Sequence, residues 1–121
     1  MWRLWNSIIV LCFLAGLLLT PAMALTVKEN YLFYCAPCHG IEGRGDGPNA
    51  TPTQPVAPRN HRSKKEMSKL SDQDIINVIK FGGRATGIST LMPPYKNTLT
   101  EEEIVELKDY LRELCQCRGP E

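Results

Sequence analysis

Two cysteines and a histidine stand close together in the run Cys35-Ala36-Pro37-Cys38-His39. The spacing C-x-x-C-H is typical of the attachment of a c-type haem. Two thiols spaced in this way can form thioethers with the two vinyl groups of one porphyrin, and the adjacent histidine then lies beneath the iron as its proximal ligand. We therefore predict one covalent haem c with iron, held by Cys35, Cys38 and His39.

A redox pair and half of a zinc site are the alternatives for this cysteine spacing. A thioredoxin-like motif needs a βαβ context, and none is visible in the sequence. A structural zinc site needs two further ligands. The remaining candidates, Cys115, Cys117 and His61, are far away along the chain. Haem attachment is the preferred interpretation.

The first 24 residues have the layout of a secretory signal peptide. Arg3 gives a positive start, twelve apolar residues run from Ile8 to Leu19, and Ala22-Met23-Ala24 offers a cleavage site. A transmembrane helix needs about 20 apolar residues, so an uncleaved membrane tether is the less favoured alternative. We expect residues 1–24 to be the signal peptide, residues 25–121 to be one domain, and the periplasm to be its location.

The charge balance argues against general nucleic-acid binding. The chain has 14 basic and 13 acidic side chains, and loss of the leader would remove only Arg3 from them. The mature chain would be neutral, whereas nucleic-acid binding favours a basic excess. Basic residues cluster between Arg59 and Lys69, and acidic ones between Glu101 and Glu106. The simplest interpretation is that both clusters are solvated surface. The more specific interpretation is that they form a dipole that orients the protein on a redox partner.

Three helix starts share one capping pattern, in which a hydroxyl side chain precedes a carboxylate by three residues. They begin at Thr26, Ser71 and Thr100. Apolar periodicity predicts helices over about residues 28–35, 72–81 and 101–114. No stretch alternates as a β-strand, so we predict an all-α fold with three main helices.

Two long segments separate these helices. Residues 40–69 are rich in glycine and proline, and residues 85–99 follow a stop at Gly82-Gly83. Because the first segment begins at His39, we interpret both segments as loops wrapped around the haem. A domain this small has a thin core, and the buried macrocycle would supply much of the apolar interior.

The haem iron has one axial position left after His39. The mature chain offers only Met67 and Met92 as thioether ligands, and a His/Met pair is typical of electron-transfer cytochromes c. Met92 is followed by two prolines that keep the backbone extended, whereas Met67 lies in a charged stretch. We predict Met92, with Met67 as the second candidate and His61 as the third, which would give a bis-histidine haem.

The second ring nitrogen of His39 needs a hydrogen-bond acceptor, as in other ligating histidines. We expect a backbone carbonyl of the following loop, Pro48 first, with Pro52 and Pro58 close behind. Arg59 is a candidate donor to a haem propionate, since arginine pairs well with carboxylates, and a solvated side chain is the alternative of at least equal weight.

Six segments between about Val27 and Leu114 form one pattern over nearly the whole mature chain. They are Tyr34-Cys35-Ala36-Pro37-Cys38-His39-Gly40, Gly43-Arg44-Gly45-Asp46-Gly47-Pro48, Ala57-Pro58-Arg59-Asn60, Asp74 to Gly83, Leu91-Met92-Pro93-Pro94-Tyr95 and Leu99-Thr100-Glu101-Glu102-Glu103-Ile104. This pattern resembles the class I c-type cytochromes, especially small bacterial periplasmic monohaem cytochromes and cytochrome domains attached to dehydrogenases or oxidases. The resemblance implies a class I cytochrome c fold with crossing terminal helices. It also implies covalent haem at Cys35 and Cys38, with His39 and Met92 on the iron.

The tail departs from that pattern at Cys115-Gln116-Cys117. Unpaired thiols seldom persist in an oxidising compartment, so a disulfide of some kind is the preferred interpretation. An intermolecular bridge, a Cu(I) site and a disulfide-exchange role are the alternatives.

These observations predict a single-electron carrier and not an enzyme. Its expected partners are redox proteins, namely a dehydrogenase, an oxidase or a membrane cytochrome complex, and we expect a monomer. A haem enzyme or sensor with a labile distal site is one alternative. A thiol or copper protein that uses Cys115 and Cys117 is another.

Overall fold

The computed structural model describes residues 23–121, which contain five α-helical segments and one π-helical turn. In chain order they are α1 Val27–Asn30, the π-helical turn Tyr31–Cys35, α2 Ala36–His39, α3 Lys64–Met67, α4 Asp72–Ala85 and α5 Glu101–Cys115. Residues 23–121 contain no β-strand, which confirms the all-α fold class. No helix in this range is long and apolar enough to cross a membrane. The predicted signal peptide falls almost entirely on residues 1–22, outside the described part.

The first helical stretch continues from α1 through the π-helical turn to the end of α2, beyond its predicted end near residue 35. The predicted capping box is present, since Thr26 and Glu29 each accept a hydrogen bond from the other's backbone N–H. Pro37 does not end the helical stretch, and it lies in the first turn of α2, directly after the π-helical turn. The C-x-x-C-H motif is therefore helical and not the start of a loop.

The other two main helices also begin at their predicted capping boxes, Ser71 for α4 and Thr100 for α5. Gly82 interrupts α4 with φ 79° and ψ 167°, as the predicted stop requires, and one short turn follows through Ala85. The helix α5 ends at Cys115, and Gln116 then adopts a left-handed conformation with φ 49°.

A single helical turn, α3, lies within the segment that the sequence predicted as loop. Ser63 caps it, because its side chain accepts a hydrogen bond from the backbone N–H of Glu66. One turn is too short to show helical periodicity, so apolar patterning did not predict it.

The terminal helices pack against each other, as the predicted fold requires. Asn30 Nδ2 donates to Glu103 Oε1 at 3.2 Å, and the ring of Tyr31 lies 5.1 Å from that of Tyr110. The helix α4 also packs against α5. The buried core is formed by Tyr31, Ala36, Met67, Ile75, Ile79, Leu99, Ile104, Leu107, Leu111, Cys115 and Cys117.

Arg112 ties α5 to the segment that joins α3 and α4. Its side chain is only 11% exposed and donates from Nη1 to the carbonyl of Met67 at 2.9 Å and from Nη2 to that of Leu70 at 2.6 Å. Its Nε donates to Asp72 Oδ1 at 2.8 Å. A guanidinium suits this position because its donors diverge in a rigid fork.

The tail is closed by a disulfide between Cys115 and Cys117, whose Cα atoms are 5.2 Å apart. Both residues are buried in the core. The predicted disulfide is therefore present, and it joins the two tail cysteines to each other. A disulfide offers no thiolate to Cu(I), so the copper alternative loses its ligands.

Candidate haem site

One cavity of about 330 Å³ brings all four predicted site residues together, namely Cys35, Cys38, His39 and Met92. Its remaining lining is mainly apolar and includes Tyr34, Val56, Ala57, Pro58, Met67, Leu70, Ile75, Val78, Ile88, Leu91, Pro93, Tyr95 and Leu111. A concave, mostly apolar pocket with a few convergent polar groups is the usual form of a cofactor site.

Cys35 and Cys38 line this cavity and form no disulfide within residues 23–121. Burial, and secondarily the neighbouring Cys38, raises the pKa of Cys35 to about 12. The attacking cysteine of a thiol–disulfide exchange protein has a lowered pKa instead. The environment of Cys35 therefore disfavours the redox-pair interpretation of the motif.

His39 is oriented by a backbone carbonyl on the far side of the loop. Its Nδ1 lies 2.9 Å from the carbonyl oxygen of Arg59, which can only accept, so Nδ1 carries the hydrogen. The other nitrogen, Nε2, is then left for a metal. Burial lowers the pKa of His39, which keeps the ring neutral and able to ligate.

The prediction that Pro48 supplies this acceptor was wrong, and Pro52 and Pro58 do not supply it either. The first part of the loop, residues 40–49, caps the end of α2 instead, because its backbone N–H groups donate to the carbonyls there. The donor and acceptor pairs are Gly40 to Ala36, Asn49 to Pro37, Gly47 to Cys38 and Gly45 to His39, at 2.7 to 3.1 Å. The hydrogen bond to the His39 ring comes from a later part of the loop, at Arg59.

Glycine is needed at residue 47 because the loop passes so close to the helix end. A Cβ atom there would lie 2.5 Å from the carbonyl oxygens of both Ala36 and Pro37. These caps satisfy backbone carbonyls that every helix end leaves unpaired, so the loop holds the motif in position through its main chain.

Arg59 also lines the cavity. Its Nη1 donates to Glu66 Oε2 at 3.2 Å, and Glu66 in turn accepts from Lys69. The role of the Arg59 carbonyl was missed by sequence reasoning, since a backbone acceptor leaves no signal in the side-chain pattern.

The loop that carries Met92 is hydrogen-bonded to α4 at Met92 itself and at Tyr95. Met92 itself accepts from the N–H of Gly83 at 3.0 Å, and the N–H of Tyr95 donates to the carbonyl of Ile79 at 3.0 Å. Met67 also lines the cavity, but it is 1% exposed and belongs to the core around α3.

His61 does not line the cavity. Its ring stacks on that of His39, with centroids 4.1 Å apart and planes inclined by 17°. Two imidazoles that ligate one iron from opposite sides lie end to end and not face to face. The bis-histidine alternative through His61 is therefore excluded by this geometry.

The cavity fits a haem c in its chemistry. It combines two unpaired thiols, a neutral imidazole and a thioether with apolar walls. Gln54 lines the cavity, and its buried Oε1 has no hydrogen-bond partner among residues 23–121. No cluster of three His, Cys, Asp or Glu residues that suits a metal ion occurs in the described range, so a zinc site gains no support.

Comparisons with known proteins agree with this chemistry. The family model described as Cytochrome C oxidase, cbb3-type, subunit III, matches residues 22–111. Among solved structures, the KustC0563 c-type cytochrome is 27% identical, with a TM-score of 0.58, and the match covers 74% of this chain and 98% of that chain. No curated protein matches the chain.

A second solved structure is the Kuenenia stuttgartiensis reducing HAO-like protein complex Kustc0457/Kustc0458, at 31% identity and a TM-score of 0.56. The match covers 80% of this chain but only 45% of that one. The family match spans most of the residues that form the fold and the cavity. The chain thus belongs to the family of the cbb3-type oxidase subunit III cytochrome domain, and it is a small class I c-type cytochrome with covalently bound haem c.

Proposed function

We propose that this protein is a single-electron carrier whose haem is attached to Cys35 and Cys38 and ligated by His39 and Met92. The observation that carries the proposal is the cavity that these four residues share. A haem held there supplies one-electron exchange between ferric and ferrous iron. The protein residues bind it, orient it and limit the access of water.

Met92 is the proposed second axial ligand. Its loop is hydrogen-bonded to α4 through Met92 and Tyr95, which reduces the entropy that the chain loses when the sulfur is held in one place. A thioether ligand raises the reduction potential of a haem. Met92 in this role would also complete the coordination of the iron, which would suit electron transfer and exclude small substrates.

The optical spectrum of the oxidised protein tests this ligation. We expect the weak near-infrared band of sulfur-to-iron charge transfer in the wild type, and we expect Met92→Ala to abolish it. Loss of the thioether should also lower the reduction potential, since ferrous iron is no longer stabilised by a soft ligand.

Met67→Ala is the matched control, because Met67 is the other methionine that lines the cavity. We expect this variant to keep the band while it loses stability by about 2–5 kcal/mol through the removal of a buried side chain. A band that survives in Met92→Ala and disappears in Met67→Ala would reverse the assignment. A wild type without any band would favour a haem enzyme or sensor with an open distal site.

The proposed location is the periplasm, and the proposed partners are redox proteins. The leader pattern of residues 1–24 supports export. The likeness to one chain of a redox protein complex supports a partner that carries haem or another redox centre. Cell fractionation and N-terminal sequencing of the purified protein test both export and cleavage before Leu25. An intact leader in the membrane fraction would contradict a diffusible carrier.

The proposed oligomeric state is a monomer. Sedimentation of the holoprotein is expected to give one species of the mass of the mature chain plus one haem. A stable dimer at micromolar concentration would contradict this.

A further inference from the structure

Two residues of one segment hold His39 from different directions. The Arg59 carbonyl accepts a hydrogen bond from Nδ1 in the plane of the ring, at 2.9 Å. Two residues later, the His61 ring packs against the face of His39 with centroids 4.1 Å apart. A hydrogen bond to Nδ1 tolerates tilting of the ring, whereas a stacked partner opposes it. Together the two contacts define both the rotation and the tilt of the imidazole.

His61 is itself held by a buried hydrogen-bond chain. The Tyr31 hydroxyl donates to the carbonyl of Gly40 at 3.1 Å, and this carbonyl can only accept. Tyr31 has a single hydroxyl hydrogen, so its 3.3 Å contact with His61 must use the hydrogen on His61 Nδ1. The chain of donors therefore runs from His61 through Tyr31 to Gly40.

The backbone of His61 is fixed as well. Its N–H donates to the carbonyl of Gly43 at 2.6 Å. His61 is 7% exposed and Tyr31 is fully buried. A leucine or phenylalanine would fill this space, but neither would bond to the Tyr31 hydroxyl, which would then keep only one partner. A histidine both fills the space and satisfies the hydroxyl.

We propose that His61 and Tyr31 are positioning residues that set the plane of the His39 imidazole and thereby tune the haem iron. The inference rests on the proposed role of His39 as the proximal ligand. A firmly placed Nδ1–H···O bond increases the electron donation of an imidazole. Loosening of the His39 ring would weaken this bond, favour ferrous iron and raise the reduction potential.

Three variants separate the stack from the hydrogen bond. His61→Leu removes both, His61→Phe keeps an aromatic ring but loses the hydrogen bond, and Tyr31→Phe removes only the hydroxyl. Two properties are measured on the holoprotein: the reduction potential, and the spread of the haem-methyl proton shifts in the oxidised state. That spread depends on the orientation of the axial ligand plane.

We expect His61→Leu to raise the potential and to change the haem-methyl pattern most. His61→Phe and Tyr31→Phe should change both in the same direction by smaller amounts. Leu107→Ala is the control for general loss of packing, because Leu107 is equally buried but does not line the cavity. It should lower the melting temperature and leave the haem-methyl pattern unchanged.

The inference is overturned if the three variants match the wild type in both properties, or if Leu107→Ala changes the pattern as much as they do. Should His61→Leu fail to mature, the two phenylalanine variants decide alone. Failure of the proposed function has a different signature. In that case the wild type itself would lack the spectrum of a six-coordinate His/Met haem.

Discussion

Glycine, the smallest residue, determines how close the loop comes to the C-x-x-C-H motif. Gly47 allows backbone N–H groups to reach the carbonyls at the end of α2, where even a methyl group would meet two oxygen atoms at 2.5 Å. The same loop then returns with Arg59 to bind the His39 ring. The absence of a side chain at Gly47 therefore helps to orient His39, the proposed iron ligand.

Gly47→Ala is expected to lower the free energy of unfolding by about 1–3 kcal/mol, as forced insertion of a methyl group into packed structure usually does. Denaturant unfolding of the holoprotein measures it. Glu42→Ala in the same loop is the control, since Glu42 is exposed and its side chain contacts Arg44. The control should stay within about 0.5 kcal/mol of the wild type. Equal effects of the two substitutions would contradict the close-approach argument.

At the scale of elements, one carboxylate serves two helices. Glu103 accepts from the N–H of Thr100 at 2.8 Å as part of the α5 cap, and its other oxygen accepts from Asn30 at 3.2 Å. Asn30 is 1% exposed and belongs to α1. The α5 cap is therefore also a contact between the terminal helices. In α4 the equivalent carboxylate, Asp74, accepts from the backbone N–H and the hydroxyl of Ser71 and from no other group among residues 23–121.

We therefore expect Glu103→Ala to be more destabilising than Asp74→Ala, although both residues occupy the same capping position. Loss of the carboxylate removes its hydrogen bond to the N-cap backbone N–H, which is worth about 1 kcal/mol. Loss of an acceptor for the buried Asn30 amide adds about 1–3 kcal/mol. Chemical denaturation of both variants measures the difference. If Asp74→Ala proves equal or worse, the bond between Asn30 and Glu103 contributes nothing to the packing of the helices.

At the scale of the whole molecule, the cavity is large for so small a core. Its walls are mainly apolar, and side chains around an unfilled space lose packing contacts and therefore stability. The entire stability of a typical domain is about 5–15 kcal/mol. We therefore expect the fold to depend on an occupant of this cavity.

We expect the haem-free protein to lack a cooperative thermal transition. The Cys35→Ser, Cys38→Ser double variant, purified free of haem, provides such a protein. Circular dichroism should show reduced helix content compared with the holoprotein. A single-site His39→Ala variant that keeps its thioethers is the control, because the macrocycle still fills the cavity. A haem-free chain that melts as sharply as the holoprotein would contradict this dependence.

Features that depend on residues close together in sequence were predictable, and contacts between residues far apart in sequence were not. The three capping boxes, the break at Gly82 and the four residues of the cavity follow from short patterns that the structure contains. The acceptor for His39 and the stacking of His61 depend on a loop that returns over the helix. Such contacts join residues far apart in sequence, and one of them uses a backbone carbonyl that any residue would supply.

The two cysteines of the motif are close together in sequence, which limits how far haem attachment restricts the unfolded chain. Attachment of the haem at Cys35 and Cys38, as proposed, closes a ring of only a few residues, so it removes little of the unfolded chain's conformational freedom. The covalent attachment instead keeps the cofactor at a high effective concentration near its cavity. Refolding of the holoprotein is then unimolecular, and its stability is independent of dilution and of the supply of free haem.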